Sequence, residues 1–223
     1  MAALKRLVDR LAAERCLPDA DMLALLACGD GEVLSHLFAR ARAAREAVYG
    51  RDVYIRGLIE FTNFCKNDCL YCGIRRSNAR ACRYRLSEEE ILACAEAGYR
   101  MGFRTVVLQG GEDPYFTDER LCRIVRALKA ARPDRAVTLS VGERSRESYQ
   151  KLFDAGADRY LLRHETATKA HYEALHPPGM SFENRMRCLA DLKAIGYQVG
   201  CGFMVGSPGQ TPADIARDLA FIR

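Results

Sequence analysis

The sequence predicts an α/β fold, a (β/α)8 barrel of TIM type carried as five βα units behind an N-terminal helical extension. Three observations predict it. From Val53 onward, short apolar runs alternate with amphipathic stretches at helical spacing, the pattern of strands buried in a parallel sheet beneath helices. Helix-capping residues stand at the junctions: Ser87, Thr117, Ser145, Ser181 and Thr211 each follow a strand or loop and precede an amphipathic run. Apolar residues at 49% and charged residues at 28% are ordinary globular composition, which excludes disorder, collagen-like repeats and a membrane-spanning bundle.

Residues 1–50 read as helices. Leu4, Leu7, Val8 and Leu11 share one face, Pro18 and Asp19 punctuate, and a second stretch runs through Leu34, Leu37 and Phe38. Residues 51–223 then form the barrel core. Its first strand runs from Tyr54 to Phe61 and leads into a long cysteine-bearing loop; SEEE from Ser87 reads as a cap with first-turn acids. RTVVLQ is the second strand, ending in Gly110 and Gly111. A helix from Thr117 leads to Pro133 and the third strand, AVTLS. A helix from Ser145 leads to the fourth strand, RYLLRHE. SFENRMRCLADLKAIG is the next capped helix, YQVGCGFMVG the fifth strand, and TPADIARDLAFIR a helix with Pro212 at its first position. About 170 residues after the extension supply five units where a closed barrel takes about 250 in all, so a barrel truncated after its fifth unit is expected. A complete small open α/β sheet is the alternative.

The charge balance of 34 basic against 29 acidic residues is +5, without a basic tract, so no nucleic-acid partner is expected. Lys5, Arg6, Asp9 and Arg10 interrupt the first apolar positions, which is unlike a signal peptide; a cytoplasmic protein without a membrane partner is expected. Ten cysteines in a chain of this size, without an export signal, point to reduced thiols and metal ligation instead of a disulfide framework. Seven of them, Cys16, Cys28, Cys82, Cys94, Cys122, Cys188 and Cys201, are widely spaced and read as small hydrophobes.

Cys65, Cys69 and Cys72 are different. They lie in FCKNDCLYC, just past the C-terminal end of the first strand, where a barrel of this kind carries its chemistry. Structural zinc wants four ligands, and after this loop Cys82 is ten residues on and the next histidine is His164. A 4Fe-4S cluster on three cysteines leaves one iron open, a place to bind and activate a small molecule. His164, His171 and His176 are not at a zinc-type spacing, HPPG reads as a loop, and none is assigned to a metal.

The C-x3-C-x2-C spacing, with Tyr71 before the last cysteine, resembles the radical S-adenosylmethionine (SAM) superfamily. The blocks IEFTNFCKNDCLYCGIRRSN, YRLSEEEIL, VLQGGEDPYFTD, VTLSVGE, AGADRYLLRHET, SFENRMRCL and MVGSPGQT are similar in order and spacing to the HydE-type maturases of FeFe-hydrogenase, from Tyr54 to the last residue. Biotin synthase and methylornithine synthase share the cysteine motif and parts of the rest.

The resemblance implies a 4Fe-4S cluster held by Cys65, Cys69 and Cys72, and SAM chelating the open iron, reductively cleaved to methionine and a 5'-deoxyadenosyl radical. It implies Tyr71 in the SAM site, Gly110, Gly111 and Glu112 at the methionine amino group, Ser140 and Glu165 at polar groups of SAM, and Arg185 on its carboxylate. Taken alone, the glycine pair is equally a plain turn, and an arginine on a helix is more often solvated. Glu165 and Arg185 are expected to lie away from the cysteine loop. Arg163, counted with the cysteines as catalytic, is implied to hold an anionic, amino-acid-like substrate, with Gln109 and Thr138 as neighbours; hydrogen-bonded polar groups in a barrel layer are the alternative for those two. Met204 reads as core packing.

The implied function is assembly of the hydrogenase diiron cofactor, on a small-molecule or organometallic substrate, with an external electron donor and other hydrogenase maturases as partners. Alternatives are a methylornithine synthase-like mutase, biotin synthase-like sulfur chemistry, or an inactive truncated iron-sulfur fragment. A ferredoxin-like module usually takes four cysteines per cluster, which speaks against electron transfer alone.

Overall fold

The computed structural model describes residues 1–223. The chain divides into two compact units: Met1–Tyr54 with Thr166–His171 and Met204–Arg223, and Ile55–Glu165 with Tyr172–Phe203.

The first unit is helical, with α1 (Ala2–Glu14), α2 (Asp19–Leu26), α3 (Gly31–Tyr49) and the late helix Pro212–Phe221. Pro18 opens α2, and the Asp30 carboxylate caps α3 by accepting from the Glu32 and Val33 amides. Val8, Leu17, Val33 and Ala216 are its buried apolar positions.

The second unit carries the sheet: β1 (Gly57–Thr62), β2 (Thr105–Gly110), β3 (Ala136–Ser140), β4 (Arg159–Leu161) and β5 (Gln198–Gly200). Between them come α4 (Glu88–Arg100), α5 (Asp118–Ala131), α6 (Arg146–Asp154), α7 (Lys169–Leu175) and α8 (Phe182–Ile195); the helix at Pro212–Phe221 is α9. All five strands are parallel and adjacent in sequence order, β1-β2-β3-β4-β5. A doubly wound sheet reverses its strand order partway. One-way winding with a helix in each crossover is barrel winding.

Alternation along the strands sorts the faces. Ile59, Phe61, Val106, Leu108, Val137, Leu139, Tyr160 and Leu162 are buried under the helices. Gln109, Thr138 and Ser140 share the opposite face, Gln109 standing in register with Ser140. The capping expected from the sequence is present at each helix. Ser87 with Glu90 and Thr211 with Asp214 form capping boxes, and Thr117, Ser145 and Ser181 accept from the amide three residues on.

Four elements differ from expectation, among them β5, which pairs only over Gln198–Gly200 of the expected YQVGCGFMVG because β4 offers it no longer a partner. β1 begins at Gly57, where pairing with Val106 begins, and Val53, Tyr54 and Ile55 stay exposed despite their β propensity. β4 is three residues long; its ladder with β5 ends at Leu161, and Glu165, at φ 66°, makes only an isolated bridge with Phe203. α7 was not expected, its charged and aromatic residues giving no clean helical face in the sequence. No single helix is long and apolar enough to cross a membrane.

Candidate active site

Parallel strands of one-way winding bring the loops after β1, β2, β3 and β4 to one end of the sheet. The loop after β1 carries the three cysteines, all reduced and half-buried. Cys69 and Cys72 share one turn, the Cys72 amide donating to the Cys69 carbonyl at 3.1 Å. Burial pushes the Cys65 thiol up and the Cys69 thiol to about 11, with smaller contributions from neighbouring thiols: Cys72 on Cys65, and both others on Cys69. The three therefore lie within electrostatic reach of one another. No group of three or more His, Cys, Asp or Glu side chains is gathered for a single ion; a four-iron cluster holds its thiolates farther apart than one ion does.

The loop after β2 presses against this turn. A Cβ built on Gly111 would stand 2.2 Å from the Phe64 carbonyl oxygen and 2.7 Å from Cys65 Cβ, so only glycine permits the approach. A Cβ built on Gly110 would stand 2.6 Å from the Thr62 methyl. The Lys66 amide donates to the Glu112 carbonyl at 3.0 Å, and the Lys66 ammonium pairs with the Glu112 carboxylate at 3.2 Å. Next door, buried Asp113 takes a fork from Arg85 at 2.6 and 2.9 Å and the Thr62 hydroxyl at 2.7 Å, which ties the β2 loop to the end of β1.

The loop after β3 repeats the device. Gly142, at φ 76°, lies so close to Glu112 that a Cβ would meet its Cγ at 2.1 Å, and the Glu143 amide donates to Glu112 Oε1 at 2.9 Å. Glu143 in turn receives Arg185 Nε at 2.5 Å, while Arg185 Nη1 donates to the Arg163 carbonyl at 2.6 Å. Burial alone would loosen the Arg185 proton, but the Glu143 carboxylate outweighs it and holds the guanidinium firmly charged. Lys66, Glu112, Glu143 and Arg185 thus form one polar rail across three strand ends and α8.

After β4, Glu165 is 7% exposed and its Oε2 has no hydrogen-bond partner. Burial pushes its carboxyl pKa up, against Arg163, Arg185 and Tyr71, which pull it down. Thr138 Oγ1 is a second buried atom without a partner. Tyr160 and Leu162 are buried while Arg163 is exposed, the alternation expected of the strand. Tyr71 donates its hydroxyl to His176 Nε2 at 3.0 Å.

One alternative falls away and one expectation is corrected. Arg185 is 6% exposed, so the solvated helix face does not apply to it. Glu165 and Arg185 do not lie away from the cysteine loop: Arg185 acts electrostatically on Cys69, and Glu165 on Tyr71. The sequence reading missed Glu143 and Lys66 and weighed His176 only as a metal ligand. Glu143 had a signal, since VGE after β3 repeats the GGE after β2; Lys66 had none.

The residues present fit a three-thiolate iron-sulfur cluster with SAM beside it: three thiols around one turn, a glycine pair admitting close backbone approach, and an orphaned carboxylate oxygen at Glu165 facing the same strand ends.

Comparison with known proteins agrees. The model of the radical SAM superfamily matches residues 59–222. The chain is 49% identical over 187 residues to the [FeFe] hydrogenase maturase subunit HydE of Thermotoga maritima, covering 84% of this chain and 53% of that one. It is 33% identical over 192 residues to 3-methylornithine synthase of Methanosarcina acetivorans, covering 85% of this chain and 54% of the relative. The crystal structure of methylornithine synthase (PylB) superposes with a TM-score of 0.88 at 29% identity, covering 97% of this chain and 64% of that one. The chain spans about half the length of the curated relatives it matches. With the family match running from β1 through α9 and its cysteine turn seated at the strand ends, the chain belongs to the radical SAM superfamily.

Proposed function

We propose that this protein binds a 4Fe-4S cluster through Cys65, Cys69 and Cys72 and cleaves SAM reductively, within HydE-type assembly of the FeFe-hydrogenase diiron cofactor. The observation that carries the reading is the seating of the three-thiol turn against Gly111, together with the buried Glu165 carboxylate, whose Oε2 has no hydrogen-bond partner. The 49% identity to a HydE, against 33% to a methylornithine synthase, favours the maturase branch. In this reading residues 1–50 are a helical extension and 51–223 the barrel core.

When bound, the cluster supplies an open iron and the electron for cleavage. The chain's own residues bind and orient. Glu165 offers its free oxygen to a donor on SAM, and Tyr71 and the Gly110-Gly111-Glu112 backbone line the approach beside the cysteines. Arg185, locked by Glu143 and the Arg163 carbonyl, presents fixed positive charge to a carboxylate. Gln109, Thr138, Ser140 and Arg163 share the sheet face opposite the helices; Ser140 reaches SAM, and Gln109, Thr138 and Arg163 meet a small, anionic or organometallic substrate. The electron donor and other maturases are the partners this chemistry calls for.

The test is iron content after anaerobic reconstitution. About four irons per chain are expected, lost on changing Cys65, Cys69 or Cys72 to Ala and kept on changing the exposed Cys82 or Cys94. Zinc taken in preference to iron, or five variants behaving alike, defeats the reading. Methylornithine formed by the reconstituted protein would transfer it to the mutase branch.

A further inference from the structure

Three contacts join the cysteine turn to the end of α7 and the segment that follows it. The Leu70 amide donates to the Leu175 carbonyl at 3.0 Å, Cys69 Sγ lies 3.5 Å from Met180 Sδ, and the Tyr71 hydroxyl meets His176 Nε2 at 3.0 Å. The last is the one with directional chemistry. His176 Nδ1 is 2.8 Å from the Tyr172 carbonyl, which can only accept, so Nδ1 carries the proton and Nε2 is left as an acceptor. The imidazole is also stacked on the Tyr172 ring at 3.9 Å and 20°, and is 4% exposed. Its orientation is therefore over-determined before any ligand arrives, and burial keeps it neutral by lowering its pKa.

Tyr71 is in the opposite condition. It keeps 37% of its surface exposed, and its ring meets His176 edge-on at 5.3 Å. A tyrosine this open has rotamer freedom that packing does not remove; a hydrogen bond to a fixed acceptor removes it.

We propose that His176 is a positioning residue for SAM: by accepting the Tyr71 hydroxyl it fixes the ring of Tyr71, which the sequence places between Cys69 and Cys72, so that the ring is preorganised as one wall of the cofactor site. The proposal rests on the reading of the cysteine turn as a cluster and SAM site. His176 touches neither cluster nor SAM; its effect passes through Tyr71 alone. A merely structural role, tethering the segment after α7, would act whether or not Tyr71 has a hydroxyl.

The experiment compares His176→Leu, His176→Gln, Tyr71→Phe and the His176→Leu/Tyr71→Phe double variant, each reconstituted to equal iron content, by equilibrium binding of SAM. One hydrogen bond of preorganisation corresponds to about a 3- to 10-fold weaker affinity for His176→Leu and for Tyr71→Phe. The double variant is expected to be no weaker than Tyr71→Phe alone, because without the hydroxyl His176 has no bond to contribute. His176→Gln, whose amide oxygen can replace Nε2 as acceptor, is expected within about 2-fold of the parent, well inside the loss of one hydrogen bond.

A second readout needs no cofactor. The chain has four histidines, so 15N-histidine labelling of the apoprotein resolves His176, whose Nε2 resonance is expected to move in Tyr71→Phe while Nδ1 stays protonated. Additive losses in the double variant, parental affinity in His176→Leu, or an unmoved Nε2 resonance would each overturn the proposal. If His176→Leu does not fold, Tyr71→Phe and His176→Gln decide by the same two readouts. Failure of the parent protein to take up iron or SAM would count against the proposed function and, with it, the role toward SAM, while the 15N measurement still reports on the Tyr71–His176 bond.

Discussion

Replacing Gly111 by Ala tests the way the β2 loop supports the cysteine turn. Gly111 has no left-handed backbone, so the substitution acts by volume alone. The new Cβ would stand 2.2 Å from the Phe64 carbonyl oxygen, 0.8 Å inside the 3.0 Å that real Cβ atoms keep. The obstacle is backbone and cannot rotate away. Nor can the loops part freely, because the Lys66 amide is bonded to the Glu112 carbonyl and Asp113 to the Thr62 hydroxyl. Overpacking costs about 1–3 kcal/mol, and the top of that range applies against backbone. Loss of the Lys66–Glu112 bond adds about 1 kcal/mol. The total of about 3–4 kcal/mol corresponds to a fall in Tm of roughly 6–16 °C for a domain of this size. Displacement of Cys65 should also remove most of the bound iron. The control is Gly73→Ala in the same cysteine loop, which meets nothing within 4 Å and has no positive φ; it should leave Tm and iron content unchanged or slightly raise the former. Thermal unfolding by circular dichroism and iron analysis read both variants. A Tm within about 2 °C of the parent with full iron for Gly111→Ala, against the cost above, or equal losses in the two variants, would refute the reasoning.

Two further outcomes follow from the buried carboxylates. Burial raises the Asp113 pKa, but Arg85, Thr62 and the Tyr115 amide outweigh it, so the folded value is depressed and its stabilisation is present above about pH 4 and lost as pH falls through the folded value. Because 35% of the Arg85 side chain is exposed, screening limits the pair, and Asp113→Asn should cost about 2 kcal/mol at pH 7, a gap in Tm that closes toward pH 3; a gap independent of pH would contradict this. Glu165 has the opposite sign: burial raises its folded pKa, so its ionisation destabilises the protein once pH exceeds the unfolded value of about 4.3. Glu165→Gln should therefore raise Tm at pH 8, show no gain at pH 4, and weaken SAM binding; unchanged Tm at both pH values would show that the carboxylate is not strained by burial.

The elements most legible in the sequence were those governed by near neighbours. Ser87 and Glu90, or Thr211 and Asp214, cap a helix from three residues away, and each was where its pattern put it. Val137 and Leu139 alternate with Thr138 because successive side chains on a strand face opposite ways. The cysteine turn belongs with them, since C-x3-C-x2-C puts three thiols on one loop whatever the rest of the chain does. The start of β1 and the length of β4 were not legible, because a strand exists only where a partner does: Val53 to Ile55 have strand propensity and no neighbour, and the pairing of β4 with β5 ends at Leu161, with only an isolated bridge at Glu165 beyond it.

Only the tertiary structure decided what the polar residues do. Arg185 looks like a solvated helix residue until Glu143, 42 positions earlier, is placed at its guanidinium, and His176 looks like a loop histidine until Tyr71, 105 positions earlier, meets its Nε2. The capped helices, the strand alternation and the thiol spacing were legible in the residues alone, because these depend on torsions and contacts within a few residues; α7, without a clean apolar face, was not. Which loops meet was decided by the parallel, one-way winding of the strands, which brings Gly111, Gly142 and Glu165 to the same end of the sheet although no local interaction links them.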